Sequence, residues 1–246
     1  MTTVAVLCDP PRPGVVFEQL VETSPLTAAE AAELYATLTK DVVRAAVDSG
    51  GELLVNYRSD EAFEEDIDAE SAVKAVVSDV VDDLDSVRFE VQVGETFAGR
   101  AGNTVTHLLE TEGVDSVAVV RPESAFLART AIDGAAMKLR SSEVVLGPAT
   151  GGRVYYAGFK APIDFTDAYA RPALETLVDR SLDAGFDVDF LELQPVIETS
   201  ADLAEAIVQL EARRRAGRIV PPAFSTWIAG SDLVVVPDGD ELSIER

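Results

Sequence analysis

The chain has 246 residues, with 44 acidic side chains against 20 basic ones and a net charge of −24. That balance excludes a basic nucleic-acid-binding face, and 47% apolar residues exclude disorder despite the charge. A single cysteine excludes an internal disulfide, and a single histidine excludes a histidine-rich metal site.

The acids are spread along the whole chain rather than gathered into a tail. Lysine is confined to Lys40, Lys74, Lys138 and Lys160, so arginine supplies the other sixteen of the 20 cations. A folded protein with a carboxylate-rich surface suits a cytoplasm at molar salt, where the Debye length falls to about 3 Å and self-repulsion is screened. The expected source is therefore an extreme halophile. No run of 18 or more apolar residues is present, so no membrane span is expected. The opening MTTVAVLCDPPRPG has no basic segment ahead of its apolar run and reads as a first strand, not a signal peptide. The expected location is the cytoplasm.

In chain order, Val4 to Cys8 reads as a buried strand, followed by the turn Pro10 to Gly14. Thr27 or Ser24 can cap a helix over AAEAAELYATLTKDVVRAAVDSG, which ends in a glycine pair. GELLVNY is the second strand. Acidic loop residues then lead into a helix over AESAVKAVVSDVVDDL. VRFEVQV alternates like a strand, FAGRAGNTVTHLLETEG reads as a helix, and DSVAVVRP is a short buried strand. A helix over ESAFLARTAIDGAAMKLRS follows, then strands EVVLG and RVYYAGF. RPALETLVDRSLDAG is helical, DVDFLEL a strand, and SADLAEAIVQLEARRRAG an amphipathic helix.

Alternating strands and helices imply an α/β fold with a mostly parallel, doubly wound sheet and right-handed crossovers. Ligands of such sheets sit beyond the carboxyl ends of the strands. Three unusual segments fall there: PPRPG, RPES and GPATGG. Beyond Gly217 the texture changes. Two strand-like runs around PDGD read as a C-terminal β-hairpin, with Pro221-Pro222 as the break before it. The division is an α/β domain over 1–217 and a hairpin extension over 218–246. The extension packs on the same domain or on a partner, and a homodimer through it is one such arrangement.

Cys8 is either a small buried hydrophobe or, with His107, a nucleophile. Arg12 and Arg121 lie at two strand ends, where guanidinium groups can bind phosphate through paired donors or form salt bridges with nearby acids. Gly147, Pro148, Gly151 and Gly152 shape the loop between two strands and let backbone approach a ligand. Tyr155 and Tyr156 alternate along a strand, so one should face the core and the other a cleft or solvent.

The order of segments resembles a bacterial and archaeal family of glycosyltransferase-like proteins with the nucleotide-diphospho-sugar transferase (GT-A) fold. The family is also known as a domain of unknown function, and some members are placed in arsenosugar biosynthesis. The resemblance covers about residues 1 to 212. Its strongest element is Gly147 to Phe159, GPATGGRVYYAGF, where the family reads like GPAxDGGYYLIGL. PRPG at Pro11 to Gly14, AAELY at Ala31 to Tyr35, Gln92-Val93-Gly94 with Gly99-Arg100, and Glu198-Thr199-Ser200-Ala201-Asp202-Leu203 agree with further family anchors.

The departures concern chemistry. The family's lysine before the proline-rich turn is Asp9, and its Lys-Thr-Arg-Leu run is Phe17-Glu18-Gln19-Leu20. Its Gly-Thr-Asp-x-Pro motif reads Arg121-Pro122-Glu123-Ser124-Ala125, the Asp of Asp-Gly-Gly is Gly151 or Thr150, and the late Asp is Glu198. The resemblance implies Arg12, Gly14, Arg121, Gly151 and Gly152 at a nucleotide or phosphate, and Glu123 and Glu198 on Mg²⁺ or Mn²⁺. Alternatively, both glutamates are solvated carboxylates. Arg153 stands where the family prefers Gly, and either replaces a lost cation or blocks the pocket.

The implied function is binding of a nucleotide-diphosphate sugar, with metal-assisted glycosyl transfer if the site is active. The alternatives are a non-catalytic homologue acting as ligand sensor or subunit, and a nucleotidyltransferase acting on a phosphorylated small acid. The acidic composition itself makes a first prediction. The melting temperature should rise steadily with KCl up to molar concentration, and full stability in dilute buffer would remove the halophilic reading.

Overall fold

A computed structural model describes residues 2–63, 67–239 and 241–246. Residues 64–66, in the acidic loop ahead of the second predicted helix, and Asp240, in the predicted PDGD turn, lie outside the described residues. Seven strands form the central sheet: β1 (Thr2–Cys8), β2 (Glu52–Tyr57), β3 (Arg88–Val91), β4 (Ser116–Val120), β5 (Val144–Ala149), β6 (Arg153–Phe159) and β7 (Val188–Phe190). Their order is β3-β2-β1-β4-β6-β5-β7. Only β6 runs against its neighbours. The chain leaves β1 toward β2 and β3, then returns to the other side of β1 with β4. That reversal opens a crevice beyond the carboxyl ends of β1 and β4.

Among the described residues the α-helices are α1 (Glu18–Thr23), α2 (Ala28–Asp48), α3 (Ala69–Ser78), α4 (Phe97–Thr106), α5 (Arg129–Lys138), α6 (Ala173–Asp183), α7 (Ser200–Arg215) and α8 (Pro222–Gly230). α2, α3 and α5 cover one face of the sheet, and α4 and α6 the other. β1 and β4 are buried along their whole length, as strands covered on both faces must be. α2 begins as predicted: Thr27 and Glu30 form a reciprocal capping box. Among the described residues no helix is long and apolar enough to cross a membrane.

Several elements differ from their sequence reading. α3 stops at Ser78 rather than Leu84. Asp79, Asp82, Asp83 and Asp85 follow it, and negative charge is unfavourable at a helix carboxyl end. The helix predicted from Glu123 begins only at Arg129. Ser124 Oγ donates to the Tyr155 carbonyl at 2.9 Å, and Leu127 N–H closes a turn on the Ser124 carbonyl. The GPATGG segment is a tight hairpin turn, not an open loop, with Gly151 and Gly152 at φ 71° and 69°. Gly147 pairs with Tyr156 and Pro148 with Val154, which leaves Tyr155 as the extra residue of a β-bulge. The bulge breaks the alternation, so both tyrosines are buried in the same core cluster.

The C-terminal hairpin is β8 (Val234–Asp238) paired with β9 (Glu241–Glu245). α8 precedes it, where the sequence reading placed only irregular chain. Pro221, at its N-cap position, offers no side-chain cap. Asp41 of α2 does so instead, accepting from Ala223 N–H at 3.0 Å and Phe224 N–H at 2.8 Å. Burial raises the Asp41 pKa, with the two N–H groups opposing the shift. Phe224 is fully buried and meets Phe126 edge-on, and β9 packs on α7. Asp41→Ala should therefore cost about 2 kcal/mol, the scale of a charge-assisted cap. The chain's one tryptophan, Trp227, lies on α8. Its fluorescence should shift to the red in this variant before global unfolding.

Candidate functional site

A cleft of about 220 Å³ opens at the crevice between β1 and β4. β1 delivers Cys8 and Asp9, the segment after β3 delivers Gln92, and β4 ends on Arg121, Glu123 and Ser124. Because β6 is antiparallel, its first residues, Arg153 and Val154, arrive at the same end of the sheet. α4 contributes Phe97 and Arg100. Tyr169 and Arg171 come from the segment before α6, and Glu198 precedes α7.

The site is organised by ion pairs. Asp9 is held by Arg58 through two bonds, 2.5 and 2.9 Å. Arg121 donates to Glu123 at 2.6 Å and reaches Glu198 at 3.5 Å. Arg171 donates to Glu198 at 2.6 Å. Arg153 meets Asp202 through 2.5 and 2.8 Å bonds and Glu198 at 3.2 Å. Five guanidinium groups thus stand among four carboxylates, in a chain whose net charge is −24.

The five differ in what they have left to offer. Arg100 donates only to the Gln92 side chain and the Glu95 carbonyl. Desolvation, then the nearby Arg58 and Arg121 charges, lower its pKa. Gln92 is itself anchored on the carbonyls of Cys8 and Asn56. Arg171 is more than half exposed and makes one bond. Arg121 lies 4.8 Å from the Phe97 ring centroid, and Tyr169 meets the other reach of that ring edge-on. Arg153, by contrast, has every N–H engaged: Nε on the Thr150 carbonyl, and the remaining four on Thr150 Oγ1, Glu198 and Asp202.

Glu123 is buried, and its Oε2 has no hydrogen-bond partner. Desolvation raises its pKa against the pull of Arg121, and the Glu198 and Asp9 charges add to the rise. Asp202 goes the other way. Burial alone would raise it, but the Arg153 bonds and charge, with the Thr199 hydroxyl, hold it below the usual carboxylate range. Asp202 also closes the capping box of α7 with Thr199. Cys8 is fully buried, and desolvation pushes its thiol far up, as for a small core hydrophobe. His107 is exposed and paired with Glu112.

Arg121, Glu123 and Glu198 are brought together as site residues. Arg12 and Gly14 lie on the exposed turn after β1 and do not line the cleft, nor do Gly151 and Gly152 at the hairpin tip. Arg171 and Tyr169 were not singled out from sequence, and Arg100 and Asp202 entered only as anchors of the family resemblance. The excess of arginine over lysine was the one available signal. Glu123 and Glu198, the expected metal ligands, are turned onto arginines. Among the described residues no group of three or more His, Cys, Asp or Glu is placed to hold a metal ion.

Solved structures share this architecture. A protein of Desulfovibrio desulfuricans G20, described as a nucleotide-diphospho-sugar transferase, aligns at 18% identity over 94% of this chain and 95% of that one, with a TM-score of 0.75. The fold is that of the nucleotide-diphospho-sugar transferases. HddC from Yersinia pseudotuberculosis aligns at 8% identity over 85% of this chain and 99% of its own, TM-score 0.53. The 4-diphosphocytidyl-2C-methyl-D-erythritol synthase of Anaerococcus prevotii aligns at 11% over 85% and 96%, TM-score 0.51. At these identities the likeness is one of fold. No protein-family model matches the chain, and no curated protein matches it in sequence.

The Arg153–Asp202 pair makes a direct prediction. Asp202→Ala should lose about 3 kcal/mol, because it strands a buried guanidinium and removes a cap. Because the native Asp202 pKa is depressed, its contribution is present above the unfolded carboxylate pKa and lost as pH falls through the folded value. Denaturant titration of Asp202→Ala, Arg153→Ala and the double variant should show a double loss smaller than the sum.

Proposed function

We propose that the chain binds a nucleotide-activated sugar, taking its phosphate groups at Arg121, Arg171 and Arg100. The observation that carries this reading is the convergence of four arginines on one cleft of a strongly acidic chain, three of them with donors to spare. Guanidinium groups match phosphate oxygens through paired donors. The cleft lies at the topological reversal of the sheet, where doubly wound folds bind ligands. Its volume of about 220 Å³ suits the phosphate-bearing part of such a ligand rather than all of it.

In glycosyl transfer, an acceptor hydroxyl oxygen bonds to the anomeric carbon as the bond to the diphosphate oxygen breaks. The diphosphate leaves with the electron pair, and the arginines neutralise its growing charge. Glu123 is the carboxylate we assign to the acceptor's proton, because its Oε2 is unbonded. Transfer of a nucleotidyl group to a phosphorylated small acid would use the same arginines on departing pyrophosphate. A non-catalytic homologue is the second reading. It is favoured by Arg153, whose guanidinium fills the space between Glu198 and Asp202.

Titration with pyrophosphate, nucleoside diphosphates and nucleotide sugars at molar KCl tests the proposal. A bound ligand should raise the melting temperature, and Arg171→Gln or Arg121→Gln should weaken binding at least tenfold, about 1.4 kcal/mol. A flat response in folded protein would overturn it. The raised Glu123 pKa sets the sign with pH. As pH falls through that pKa, Glu123 loses its charge and releases Arg121, so anion affinity should increase. Glu123→Gln should bind more tightly at neutral pH and lose that part of the pH dependence. Release of nucleoside diphosphate from a bound nucleotide sugar would separate the transferase from the non-catalytic homologue.

A further inference from the structure

Between Glu198 and Asp202 lies the place in the cleft where carboxylate oxygens could gather on a hard cation. Such a cation needs six or more oxygen ligands, with carboxylate lone pairs free to reach it. A carboxylate offers about four lone-pair sites. Asp202 accepts five hydrogen bonds, four of them on one oxygen. Its Oδ2 accepts from Arg153, from the Glu198 and Thr199 N–H groups and from the Thr199 hydroxyl, while Oδ1 accepts from Arg153. Glu198 accepts from Arg121, Arg153 and Arg171. Glu123 keeps one unbonded oxygen, Oε2, and a single free carboxylate oxygen does not make a site for a divalent metal.

Arg153 supplies what the metal would. Its side chain is 11% exposed and is fixed from both sides, by the hairpin turn through Thr150 and by the α7 cap through Asp202. With every donor used, it has none for a ligand. Its role is to cancel the two carboxylates. That leaves Arg121, Arg171 and Arg100 as the cleft's guanidinium groups with donors to spare.

We propose that Arg153 is a built-in counter-charge standing where a divalent cation would, so that the cleft binds a phosphate or diphosphate ligand without a metal. The proposal rests on the phosphate-binding reading above. It makes Arg153 a positioning residue, acting through Glu198 and Asp202.

Two measurements test it. First, Mn²⁺ alone is titrated into the full chain at molar KCl and followed by electron paramagnetic resonance. Wild type should show no site that Glu198→Gln abolishes, whereas such a site would overturn the proposal. Arg153→Gly, which removes the guanidinium shared by the two carboxylates, should gain one. Second, pyrophosphate binding is measured by calorimetry in EDTA and in Mn²⁺. The two affinities should agree within about twofold, the scale of less than 0.5 kcal/mol. Tightening of more than tenfold by Mn²⁺ would overturn the proposal. Loss of pyrophosphate binding under both conditions would instead remove the phosphate-binding reading, and the Mn²⁺ titration of the protein alone tells these two failures apart.

Discussion

The contact on which the site depends is the bidentate pair between Arg153 and Asp202. It ties the turn of the β5–β6 hairpin to the first turn of α7. Buried opposite charges are tolerated only when each is paired and its remaining hydrogen bonds are made. Both conditions hold here. Arg153 has all its donors engaged, and Asp202 closes a helix cap with the oxygen that also faces the guanidinium. Glu198 is positioned by the same arrangement, since its N–H donates to Asp202.

From that pair the electrostatics of the cleft follow. Each of the four carboxylates is answered by an arginine. The buried Glu123 is only half satisfied. Its second oxygen is unpartnered and its pKa is pushed up by desolvation. An acidic protein can therefore present guanidinium donors in one cleft, because the local balance of charge, rather than the net charge, acts at contact distance. In molar salt the distant surface acids are screened, while the partly buried arginines are screened much less.

The C-terminal segment depends on the same kind of long-range pairing. α8 begins with two prolines and has no cap of its own, so its N-terminal N–H groups are satisfied by Asp41, 182 residues earlier in the chain. Phe224 then fills a core with Phe126 and the apolar face of α7. One buried carboxylate thus sets where the last helix starts, and the hairpin follows from it onto α7.

The sequence by itself determined the alternation of strands and helices, the mostly parallel sheet and the end of the sheet that carries the cleft. These rest on local periodicity, and on the crossover rules that act on it. Arg121, Glu123 and Glu198 were legible because they sit at strand ends or within a recognisable motif. Tertiary structure alone decided that both tyrosines of β6 face inward, because a bulge shifts the register at Tyr155. It alone decided that Arg12 stays outside while Arg100 and Arg171 come in. It also set Glu123 and Glu198 against arginines. A side chain's role in a cleft is fixed by which opposite charge reaches it first. That distance is set by the packing of elements far apart in the chain, where local pattern carries no information.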